Sequence, residues 1–175
     1  AVYGGGQTSG VFTLVSAKKW PVGQRFGTGR GTTIVGVTDG TSNTVMFSEV
    51  LPFDVPTITT ASSSAPSGRN RDGRGVTMLP GPGGAFFLTY TAPNSATPDT
   101  MMYCDTDIPA NHADRLKCVQ NRTDGNQWAA ARSKHSGGVN AAMADGSVRF
   151  VSNGVDLATW QAVGTKSGGE TLSLD

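Results

Sequence analysis

Ser42, His135 and Asp145 supply the three residue types of a hydrolytic triad, and the run Gly40-Thr41-Ser42-Asn43-Thr44 is a near miss of the nucleophile elbow. The elbow needs a closing Gly and a strained strand-to-helix turn to expose the hydroxyl, and neither is indicated here. Asp39 and Asp145 could form the carboxylate pair of a glycosidase. Each is followed by Gly, however, and Asp-Gly makes turns without any catalytic purpose. The chain therefore reads as a non-enzyme. Calcium is the one candidate cofactor. The oxygen-rich stretch Asp105-Thr106-Asp107, with Asn111 nearby, makes Asp105 and Asp107 its first ligands, and Asp39 with Ser42 and Asn43 is a second set. Neither has EF-hand spacing, and Asp, Asn and Gly turns give the same composition with no ion bound.

Cys104 and Cys118 bracket that first stretch. A disulfide between them would staple an irregular loop and contribute about 3 kcal/mol. The alternative is two buried thiols. A zinc site would need more Cys or His at short spacing than His112 provides. The bridge is the favoured reading, and with it an oxidising, extracellular or cell-surface location.

These residues need elements to hold them. Two β-branched runs, residues 10–16 and 32–37, read as strands, as do the apolar runs 45–51 and 84–91. Between them, residues 52–84 are rich in Pro, Ser, Thr and Gly and read as a long surface excursion. Within it, Arg69, Arg71 and Arg74 form a basic patch that reads as solvated loop. The last third is the most regular. Two runs of small or apolar residues flank Asp145-Gly146, the strongest short hairpin signal, which predicts a two-residue type I′ turn. Gly137 and Gly138 just before it let the backbone approach a neighbour closely. Asp156 is placed to cap a helix over residues 157–163, ended by Gly164. A helical turn is expected near residues 111–119.

The 175 residues are enough for one domain spanning 1–175. With 24 glycines and only 15% charged residues, short strands and many turns are favoured over a helix bundle. A formal charge of +1 gives no global field to draw nucleic acid or anionic lipid. No run approaches the roughly 18 apolar residues of a membrane span, so no membrane contact is expected of this chain. Trp20, Trp128 and Trp160 leave open a secreted module that stacks polysaccharide on aromatic faces.

His135, nine residues and then Asp145-Gly146 resemble the His-x9-Asp-Gly signature associated with prepilin processing. That signature belongs to the planctomycete pilin and pseudopilin-like family labelled domain of unknown function 1559. Other segments agree in order. They are Gly10-Val11-Phe12, then Asp39-Gly40-Thr41-Ser42-Asn43-Thr44 with Glu49, then Ala131-Arg132-Ser133-Lys134-His135-Ser136-Gly137-Gly138, then Ala144-Asp145-Gly146-Ser147-Val148-Arg149-Phe150, and finally Thr159 to Thr165.

The resemblance implies an extracellular structural protein, the head domain of a pilin-like subunit that joins copies of itself or other pilin-like subunits in a filament or surface layer. The secreted carbohydrate- or calcium-binding module is the alternative. The expected fold is mainly β (α+β): an antiparallel sheet with long loops and a short C-terminal helix, without the family's usual N-terminal pilin helix. His135 either packs or hydrogen-bonds against the strand that carries Glu49, as an architectural clasp, or is a polar loop residue; the clasp is the expectation. A carboxylate there would favour the imidazolium and bring pH sensitivity.

Overall fold

The computed structural model describes residues 10–11, 32–52, 73–75, 83–84, 86–101, 104, 118–121 and 127–174. Most of the expected strand at 10–16, Trp20, Asp105, Asp107, Asn111, His112 and most of the excursion 52–84 lie outside the described residues.

Among the described residues five strands and one short helix follow in order: β1 (Val45–Ser48), β2 (Asp99–Met101), β3 (Cys118–Gln120), β4 (Gly138–Met143), β5 (Val148–Ser152) and α1 (Leu157–Ala162). They form an antiparallel sheet in the order β1-β4-β5 and a parallel pair, β2-β3. The fold is mainly β, as the composition led one to expect. Among the described residues no helix is long and apolar enough to cross a membrane.

Alternation decides which face of the sheet is buried. Val45, Val139, Ala141, Met143 and Val151 point inward and meet Trp160 and Val163 from the helical segment and Phe87 from an irregular one. Phe87 lies on Trp160 with ring centroids 6.3 Å apart. Trp160 is therefore a core residue and offers no face to a sugar. Asp156 caps α1 as predicted, its carboxylate accepting from the N–H of Thr159 at 2.8 Å.

The predicted β4–β5 hairpin is present, but its turn is not the two-residue type I′. Met143 N–H donates to Ser147 O and Gly146 N–H to Met143 O, so Ala144, Asp145 and Gly146 form a three-residue loop. Of these only Gly146 has a positive φ, at 88°. This is the pattern of a type I turn closed by a glycine bulge. Asp145 thus keeps an ordinary backbone, and its side chain bonds the N–H of Ser147 instead.

Two predicted strands are absent from the described residues. Within residues 32–37 the chain forms a 3₁₀ turn, Ile34–Gly36, closed by Gly36 N–H to Thr33 O and Val37 N–H to Ile34 O. Ile34 and Val35 are exposed. β-branched residues favour a strand because they pack on a half-buried pleated surface, and here they meet none. Over 84–91, Phe87, Leu88 and Thr89 are buried in succession, which a one-sided strand does not allow. One bridge at Phe86 and single bonds such as Leu88 N–H to Ala129 O replace a ladder. Of the helical turn expected near 111–119, residues 111–117 lie outside the described residues, and Cys118 and Val119 belong to β3.

Cys104 and Cys118 are bonded, with Cα atoms 5.9 Å apart. The bridge adjoins a buried charge cluster. Asp99, opposite Cys118 in the β2–β3 register, is gripped by Arg132 through Nε at 3.0 Å and Nη2 at 2.8 Å. Arg132 also donates to Ser95 O and Thr97 O, and Ala130 N–H donates to Asp99. Arg74 lies 3.9 Å from the same carboxylate and donates to Cys118 Sγ at 3.7 Å. This corrects the reading of Arg74 as part of a solvated patch: it is buried, because it has a carboxylate inside the fold to face.

Candidate functional site

The antiparallel register of β1 and β4 brings residues 39–49 and 135–146 alongside each other. The two segments are joined at both ends. At one end the backbone of the 40–44 turn grips the hairpin tip, with Ala144 N–H donating to Thr44 O and Asp145 N–H to Thr41 O. Gly40 adopts φ 95°, and its carbonyl accepts from Asn43 N–H and the Thr44 hydroxyl, so this turn needs a residue free to enter the left-handed region. Ser42 at its apex is exposed.

At the other end Glu49 and His135 meet. His135 Nε2 lies 2.9 Å from Glu49 Oε1. An ionised carboxylate only accepts, so the proton of this bond sits on Nε2. Glu49 Oε2 accepts from the N–H of Asn140 at 2.7 Å, and the Glu49 carbonyl accepts from Arg132 N–H. Burial pushes the Glu49 carboxyl upward. The main-chain and side-chain bonds from Asn140, with the bond and charge of His135, outweigh it and hold the group below its ordinary 4.5.

Ser133 and Asn94 set the loop that carries His135. The Ser133 hydroxyl donates to Gly138 O at 2.7 Å and accepts from His135 N–H at 3.1 Å. Asn94, at φ 53°, accepts from Ser133 N–H and donates to Gly138 O and to Asn153 Oδ1. Gly137 then turns the chain with φ 84°. Gly138 enters β4 where a Cβ would strike the Val151 carbonyl and, at 2.7 Å, the Phe150 ring. An open groove of about 350 Å³ borders this assembly, lined by Leu51, Asn94, Arg132, Ser133, Lys134, His135 and Asn153.

The structure separates the triad components. His135 and Asp145 flank opposite ends of the six-residue β4, a strand of about 20 Å. The carboxylate of Asp145 bonds both the N–H and the hydroxyl of Ser147, which lower its pKa. Asp39 is occupied in a manner unsuited to a cation. It accepts from the N–H groups of Gly168 and Gly169 at 2.8 and 2.9 Å and lies 3.1 Å from the Thr165 hydroxyl, which ties the 39–44 turn to the C-terminal segment. Its side-chain partners among the described residues are two N–H donors and a hydroxyl. No group of three or more metal-ligating side chains occurs among the described residues.

Sequence reading gave no role to Asn94, Asn140 and Asn153, and named Ser133 only within a shared segment. Asn94 had a usable cue, since Asn following Pro93 in a turn-rich link tolerates the left-handed conformation. Asp99 and Arg132 had none, because nothing local marks a pair 33 residues apart as a buried fork.

A family model described as Protein of unknown function (DUF1559) matches residues 3–158. The chain belongs to this family. The match takes in both segments of the Glu49–His135 assembly, so the clasp lies wholly inside the family's region. No curated protein and no solved structure matches the chain.

Proposed function

We propose that this DUF1559 protein is the head domain of an extracellular, pilin- or pseudopilin-like structural subunit that associates with copies of itself. The observation that carries the reading is the edge of β5, beside which no further strand lies among the described residues. Met143 N–H to Ser147 O and Asn153 N–H to Gly137 O set the hairpin's phase, so Arg149 and Val151 direct their backbone groups to β4. By alternation the N–H and C=O of Val148 and Phe150 point outward. Their side chains are 68% and 55% exposed. β5 thus lacks the Lys, Pro or bulge that usually protects an edge, and Arg149 reaches to the Leu174 carbonyl instead.

A second copy is the occupant that fits. Two β5 strands can pair antiparallel about a twofold axis, and a net charge of +1 offers little repulsion. The Cys104–Cys118 bridge suits an oxidising, cell-surface setting. The planctomycete affiliation and the processing role of the His135-to-Asp145 signature belong to the same reading. Sedimentation across a concentration series, with negative-stain microscopy, tests it. Concentration-dependent assembly weakened by Phe150→Lys is expected; a monomer at every concentration would overturn it.

One observation favours a second reading, a polysaccharide-binding module. Tyr90 is exposed and lies 5.1 Å from the Trp128 ring, a pair on which a sugar could stack. Glycan-array binding lost in Tyr90→Ala, by a protein that stays monomeric, would establish it.

A further inference from the structure

Asn153-Gly154 is the one Asn-Gly pair in the sequence, and it sits in the exposed turn that follows β5. Both groups that would react have hydrogen-bond partners. Asn153 Oδ1 accepts from Asn94 Nδ2 at 2.9 Å, so the carbonyl that must become electrophilic is already polarised by a fixed donor. The N–H of Gly154 donates to Ser152 Oγ at 3.1 Å, so the group that must lose its proton is directed at an exposed hydroxyl. Gly154 also carries no side chain to obstruct its own nitrogen.

We propose that Asn153 is a site of spontaneous modification, at which the folded chain converts its own amide to a carboxylate. The Gly154 nitrogen gives up its proton through the Ser152 hydroxyl to water and attacks Cγ of Asn153. Charge gathers on Oδ1, where the Asn94 N–H stabilises it. The Cγ–Nδ2 bond then breaks, Nδ2 takes up a proton and ammonia leaves. The resulting succinimide ring adds water at either carbonyl, giving Asp or isoaspartate. Overall an amide and water become a carboxylate and ammonium.

The product matters for the neighbouring groove. A carboxylate at 153 still accepts from Asn94, lowers the formal charge from +1 to zero and makes the groove beside Lys134 and His135 more acidic. The isoaspartyl product lengthens the main chain where Asn153 N–H to Gly137 O closes the hairpin, and so loosens that end of β5.

The test incubates the folded protein in heavy-oxygen water at mildly alkaline pH, with peptide mass mapping and isoaspartyl methylation as readouts. Residue 153 should gain the mass of one labelled deamidation. Gly154→Ala should slow this several-fold; a Cβ there meets only Ser152 Oγ at 3.7 Å, so the variant keeps the fold. Ser152→Ala should slow the reaction in the folded protein but not in the urea-unfolded chain. If the folded protein stays amidated while the unfolded chain reacts, or if Ser152→Ala leaves the folded rate unchanged, the proposal is overturned.

Discussion

Glu49 and His135, 86 residues apart in sequence, share a 2.9 Å hydrogen bond across the start of β4. The two halves of this contact differ in weight. His135 is 53% exposed, so its pairing with the carboxylate contributes only about 0–1 kcal/mol. Glu49 also satisfies the main-chain N–H of Asn140, and removing it strands that donor at a cost of about 1–3 kcal/mol. Glu49→Ala should therefore lower stability clearly more than His135→Gln. Urea denaturation of both variants and their double mutant gives the ordering, and equal losses would show that the imidazole carries the clasp.

The lowered pKa of Glu49 fixes the sign of a pH effect. Its folded value lies below the ordinary 4.5, so the folded state holds the carboxylate more tightly than the unfolded chain does. The stabilisation is complete above the unfolded value and is lost as pH falls through the folded one. Asp145 and Asp156 are lowered in the same sense by their bonds to Ser147 and Thr159. Glu49→Gln should flatten the decline of melting temperature in the acid range without changing the trend above it. A variant whose acid decline parallels the parent would show that Glu49 does not contribute.

How much of this was legible depends on how local the cause is. Asp145-Gly146 announces its hairpin, and Asp156 its helix cap, because each acts on backbone within a few residues. The meeting of Glu49 and His135 was reachable only through the order of segments shared with a known family. Ile34 and Val35 misled because strand preference comes from neighbours that sequence does not display. Phe87 misled because its apolar run packs on Trp160 rather than into a ladder. The burial of Asp99, Arg74 and Arg132 was invisible, since burial of a charge depends on partners brought together only by the finished fold.

Gly137 and Gly138 stand side by side for different reasons, and substitution should separate them. At Gly137, with φ 84° and no atom within 4 Å of the place a methyl group would take, alanine meets only backbone strain of about 1–2 kcal/mol, and asparagine less. At Gly138 a Cβ meets the Val151 carbonyl, which is held in the hairpin, so the strand must shift. Gly138→Ala should cost at least as much as other overpacking changes, about 1–3 kcal/mol, with no relief from asparagine. Thermal melts of the alanine and asparagine pair at each position distinguish the cases.

The buried fork between Arg132 and Asp99 should prove the most sensitive contact in the described fold. Asp99→Asn removes the carboxylate while two guanidinium groups remain enclosed nearby, and breaking a buried pair from one side costs about 3–5 kcal/mol. Charge alone will not restore what Arg132 provides. Its planar head spans both carboxylate oxygens and also reaches the Ser95 and Thr97 carbonyls, four acceptors that one ammonium cannot match in direction. Arg132→Lys should therefore lose a large part of the same stability although the net charge is unchanged. The disulfide-intact protein is the right material for urea denaturation, because Arg74 links this cluster to Cys118. Stability of Arg132→Lys indistinguishable from the parent would show that the cluster needs a positive charge and not a fork.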